Sequence, residues 1–130
     1  MSIRATWVLT PETYGPNLGP FLTDPDLTTP VFWSYLDVDD LAELVVLAVE
    51  SETPGHEAVV AAAADNIGGR DIRVALAEHF PDVQVRHVAR RDAGGYALDK
   101  AHRLLGWTPT RSWRDHLADD PDGAGSAARD

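Results

Sequence analysis

Apolar residues along the chain fall into short runs of different period. Ser2 to Leu9 is a β-leaning run with β-branched and aromatic residues. Pro11, Gly15, Pro16, Gly19 and Pro20 follow it and cannot continue a strand ladder, so a strand entering a long loop is predicted, with nothing ahead of the strand to pair or pack against. From Ser34 the period changes. Val38, Leu41, Ala42, Val45, Ala48 and Val49 share one helical face, which predicts the clearest helix of the chain. Asp37 stands where its carboxylate can accept from the free amides of the first turn. Asp39, Asp40 and Glu43 lie where the positive end of the helix dipole favours acids.

Pro54-Gly55 marks a turn, and the small apolar run from Glu57 to Ala64 reads as a parallel strand buried on both faces. Ile72, Ala75, Leu76 and Phe80 predict a helix over Arg70 to Phe80 that Pro81 stops. Val83 to Val88 alternates like an edge strand. A short helix is expected from Asp99 to Leu105, with Gly106 as its left-handed cap, and one more helical turn within Arg111 to Leu117. Ala118 to Asp130 has no large apolar residue to bury and is expected to be disordered. Strand, helix, strand, helix, strand, helix is the order of an α/β fold, with residues 1–117 as its folded portion and residues 118–130 as an acidic tail.

At 130 residues and 44% hydrophobic content the chain has material for one modest core. The net charge of -10 opposes nucleic acid and anionic membranes as partners, since like charges repel at long range. Cysteine is absent, which removes disulfides and thiolate zinc sites. No apolar run is long enough to span a membrane, and Met1 to Leu9 lacks the apolar core of a secretory signal, so a cytoplasmic location is expected.

Candidate chemistry is sparse. Asp37, Asp39 and Asp40 could share a proton or a cation, but helix capping accounts for them without either. His56, His79, His87, His102 and His116 show no metal-binding spacing, and no metal site is expected. No serine sits in the glycine-flanked elbow of a hydrolase. Gly68-Gly69 has too few glycines for a dinucleotide loop and reads as a turn ahead of a helix, with a weak anion site as the competing reading. Tyr96 and Lys100 have the Tyr-x-x-x-Lys spacing of reductases, in which an ammonium lowers a phenol's pKa for proton exchange. Gly94 and Gly95 interrupt any helix that would carry the pair, so no catalytic residue is assigned.

Three blocks occur in order: Ile3-Arg4 leading to Thr10-Pro11, then Ser34-Tyr35-Leu36-Asp37-Val38-Asp39-Asp40-Leu41-Ala42, then Lys100-Ala101-His102-Arg103-Leu104-Leu105-Gly106-Trp107-Thr108-Pro109. In that order the chain resembles the C-terminal portion of the NAD-dependent epimerase/dehydratase family, the extended short-chain dehydrogenases/reductases. The resemblance implies the late sheet strands of a Rossmann-like fold plus a small substrate-binding lobe. It also implies that the family's Gly-x-x-Gly-x-x-Gly loop and its catalytic Tyr-x-x-x-Lys helix would lie upstream of Met1. By resemblance, the main chain at Thr6 would pass near the nicotinamide of NAD or NADP, while Trp7, Tyr14 and Trp33 would face a small-molecule substrate. Trp7 and Trp33 stand where sugar-nucleotide enzymes often carry an asparagine and a phosphate-binding arginine. An indole cannot replace a guanidinium on a diphosphate, so a less charged, more apolar substrate is expected.

The first functional reading is therefore the substrate-binding portion of a truncated epimerase/dehydratase-like oxidoreductase, inactive and binding no cofactor alone. The alternative is a freestanding acidic binding or interaction module without redox activity. The resemblance carries no oligomeric state, because the helices through which such enzymes commonly dimerise are not in this chain.

Overall fold

The computed structural model describes residues 1–24, 27 and 33–117. The expected disordered segment from Ala118 to Asp130 lies outside the described residues. Within them the fold is α/β, built on two short pairs of parallel strands.

The N-terminal run divides at Thr6 into β1 (Ser2–Ala5) and β2 (Trp7–Leu9). Thr10 then begins not a loop but a helix, α1 (Pro11–Thr23). Its amide donates to Thr13 Oγ1 at 2.8 Å, and Pro11 takes the first helical position, where a missing N–H costs nothing. Pro16 and Pro20 lie inside the helix on its exposed side, and each removes one intrahelical donor. Burial overrides that penalty: Tyr14 and Leu18, four residues apart on the opposite side, are fully buried, and Phe21 and Leu22 pack against the same cluster.

After β3 (Tyr35–Asp37), Asp37 caps α2 (Val38–Glu50) by accepting from the Asp39 amide at 2.8 Å. The helix is where its pattern predicts, but its inner face differs. Asp40 and Leu44 are buried and Leu41 and Leu47 partly so, whereas Val45 and Val49 of the expected face are exposed. Both sides of α2 are apolar, so periodicity alone does not choose between them.

Gly55 turns the chain at φ 72° into β4 (Ala58–Ala61). β1 pairs with β4 in parallel, Ser2 opposite Ala58 and Ala5 opposite Ala61, while β2 pairs in parallel with β3, Trp7 opposite Tyr35. β4 is covered unequally: Val59 and Ala61 are buried but Ala58 and Val60 only half so, contrary to the expected burial on both faces. The Ser2 and Thr6 amides donate to the Glu57 and Ala61 carbonyls. In a parallel ladder alternate amides face the same neighbour, so the Arg4 amide shares that side and the amides of Ile3 and Ala5 point to the edge that no described strand covers.

Helix α3 (Ile72–His79) is capped by Asp71 and ends ahead of Pro81. Val83 to Val88 forms no strand, because no described strand lies alongside to complete a ladder, and Val83 is 57% exposed. α4 (Asp99–Leu105) ends at Gly106 in the left-handed conformation, φ 67°, as its sequence predicts. α5 (Arg114–Leu117) is the final described turn.

Three apolar clusters hold these pieces. Leu9, Tyr14, Leu18, Tyr35 and Ile67 join α1 to β2 and β3. Leu36, Leu44, Val59, Ala101 and Trp107 join α2 and α4 to the strands. Trp33, Ile72 and Ala75 seat α3. Among the described residues no helix is long and apolar enough to cross a membrane.

Candidate functional site

The polar interior gathers where α1, β3 and the turn after β4 meet the segment from Thr108 to Leu117. Asp40 is fully buried on α2, and its own carbonyl accepts from the Trp107 indole at 3.0 Å. Its carboxylate accepts from the amides of Thr110 and Arg111 at 3.1 and 3.0 Å and from the Arg111 guanidinium at 2.7 Å. Arg111 also reaches Glu43 at 3.0 Å, and the two carboxylates hold its proton more tightly than usual. A carboxylate out of water needs this many donors, and this one joins the second sequence block to the chain that follows the third.

Two tyrosine–aspartate pairs lie beside it. Tyr14 donates to Asp37 Oδ2 at 2.8 Å, and His116 stacks on the Tyr14 ring at 4.0 Å with its Nε2 3.3 Å from the same oxygen. Tyr35 donates to Asp65 and accepts from the Trp113 amide at 2.7 Å. Asp65 accepts in addition from Ser112 and from Arg114 at 2.6 Å. Burial first, and the bond to an aspartate second, pushes both phenols far above the usual tyrosine range.

An open cavity of about 220 Å³ is lined by Asp65, Arg90, Thr110, Arg111, Ser112 and Arg114. Its cations are committed: Arg90 to Asp92, Arg111 to Asp40 and Glu43, and Arg114 to Asp65 and Asp92. A second, of about 270 Å³, lies against Leu98, His102 and Trp107.

The residues singled out from the sequence do not converge on either cavity. Thr6 turns its hydroxyl onto the Ala61 carbonyl at 3.3 Å. Trp7 is half-buried with its ring edge against Phe21 at 5.9 Å. Tyr14 is fully buried, and Trp33 is 3% exposed with an indole N–H that has no acceptor among the described residues. Tyr96 is exposed outside α4, while Lys100 pairs with Glu57 at 2.8 Å, so the two do not share a helical face. Gly68 and Gly69 both have positive φ, and a Cβ on Gly69 would collide with the Arg114 guanidinium. Asp71 places a carboxylate at the start of α3 directly beyond them, which disfavours a phosphate there. The donors of a dinucleotide site are thus not assembled from the described residues. Nor do these residues contain a group of three acidic or histidine side chains able to hold a metal.

Asp65, Ser112, Arg114 and His116 were not legible as partners, since 47 to 79 residues separate the groups they join. The only signal in the sequence was the density of polar residues in Thr110-Arg111-Ser112-Trp113-Arg114-Asp115-His116 after the helix that Gly106 closes.

No family model matches the chain, and no curated protein matches it. Among solved structures it is similar to UDP-glucuronic acid 4-epimerase from Bacillus cereus in complex with UDP-glucuronic acid and NAD, with 18% identity and a TM-score of 0.49. The similarity covers 95% of this chain and 44% of that one, so the chain spans less than half of that enzyme.

Proposed function

We propose that this chain is the C-terminal, substrate-facing portion of an NAD-dependent epimerase/dehydratase-like oxidoreductase of Rossmann-like fold, and that it performs no redox chemistry alone. The observation that carries this reading is the Asp40 clasp. It ties the Ser34 to Ala42 block to the Lys100 to Pro109 block and its continuation, two segments that sequence resemblance alone had grouped. The edge of β1 that no described strand covers supports it too, because a parallel pair normally sits within a larger covered sheet. In the whole enzyme NAD or NADP would be held by the upstream portion, Thr6 would lie near it, and the half-buried Trp7 would bias the site towards a substrate less charged than a nucleotide sugar, while Trp33 stays in the cluster that seats α3.

The test is calorimetric titration of NAD and NADP into the purified chain and into a version extended by the residues encoded upstream. The chain should give no heat and the extended protein should bind with micromolar affinity. Cofactor binding and turnover by the short chain, or upstream residues lacking both the glycine-rich loop and a Tyr-x-x-x-Lys helix, would overturn the reading. Tight binding of UDP- or dTDP-sugars by the extended protein would sink the apolar-substrate part alone.

One observation favours the second reading, an acidic binding module: the described residues form three apolar clusters of their own. That reading expects one cooperative unfolding transition from the isolated chain.

A further inference from the structure

α2 presents Ala42, Val45, Val46 and Val49 to solvent, the three valines 42%, 54% and 79% exposed. These positions follow i, i+3, i+4 and i+7, so they make one continuous apolar ridge. Valine stiffens in a helix and gains nothing from water, so three valines at such positions are unfavourable unless something covers them. Asp39, Glu43 and Glu50 run along one border of the ridge, and α2 contains no lysine or arginine. Of these three carboxylates only Glu43 has an ion-pair partner among the described residues, Arg111.

We propose that the outer face of α2 docks an amphipathic helix of another protein, one whose apolar stripe is bordered by lysine or arginine. A ridge of alanine and valine side chains lets a second helix approach closely, ridge into groove. The acidic border selects the partner's charge. A second copy fits less well, because it would set an acidic border and a net charge of -10 against their own likeness. Under the oxidoreductase reading the upstream portion is a rival occupant of this face, so binding of the arginine peptide below by the chain but not by the extended protein would overturn the inference.

The experiment uses the full chain and two designed helical peptides with leucines at i, i+3, i+4 and i+7, one bordered by arginine and the other by glutamate. Fluorescence anisotropy should show binding of the arginine peptide only, weakened about tenfold or more by V46S/V49S and weakened at least several-fold by D39N/E50Q. Circular dichroism checks that V46S/V49S keeps its helix, and V49S alone serves if it does not. Undiminished binding by the serine variant would overturn the proposal, because charge alone would then explain capture. Equal binding of the glutamate peptide would also overturn it. So would sedimentation showing that the chain self-associates through this ridge and that V46S/V49S abolishes it.

Discussion

A single buried carboxylate, Asp40, organises much of the polar interior. Asp40→Ala would strand the amides of Thr110 and Arg111 and the Arg111 guanidinium. The expected loss is about 3 kcal/mol, read as a lower urea midpoint at unchanged slope. Asp40→Asn keeps shape and one acceptor and should lose about half as much. From sequence Asp40 reads as an acid in a helix's first turn, with a shared proton or cation as the competing reading. Its inward orientation follows from Leu44, one turn on, entering the core with it. The tyrosines set the alkaline limit. Native Tyr14 and Tyr35 favour the protonated phenol, so their contribution is whole below the ordinary phenol pKa of about 10 and is lost as pH climbs towards the raised native values. In an alkaline titration their tyrosinate absorbance should therefore rise together with loss of near-ultraviolet dichroism. Ionisation of both in a still folded chain would contradict this.

Among the elements, α4 was legible in full because its signals were local, a short helical stretch ending in Leu104-Leu105 and closed by Gly106. α1 was not, because prolines and glycines speak for the loop and what overrides them is distant: Tyr35, Asp37 and Ile67, which Tyr14 and Leu18 meet only after folding. Pro20→Ala should accordingly stabilise α1. The restored donor and the relieved ring clash outweigh the roughly 1 kcal/mol that proline saves by restricting the unfolded chain, and the melting temperature should rise. The parity of β1 gives a second expectation. In hydrogen exchange the Arg4 amide should be protected while those of Ile3 and Ala5 exchange quickly. Slow exchange at all three would mean that something covers the free edge. Val83 to Val88 shows the converse failure, an alternating pattern with no described strand to pair with.

For the molecule as a whole, the α/β class was readable because helices separate the strands in sequence, but the partition into two parallel pairs was not, since nothing local states which strands meet. Net charge acts at this scale as well. With -10 on a small body, self-repulsion should dominate over partly exposed ion pairs such as Lys100 with Glu57. Raising sodium chloride from near zero to physiological strength should then raise the melting temperature, and a fall would show that the ion pairs matter more. Parallel pairing also bears on synthesis. β1 leaves the ribosome well before β4, because Ser2 waits for Ala58. At about 5–20 residues per second that interval lasts on the order of several seconds. During it Ile3 to Ala5 waits for β4, whereas Trp7 to Leu9 can already meet Tyr35 to Asp37, so the nascent chain passes through a half-paired state that slow codons between Asp37 and Ala58 would prolong.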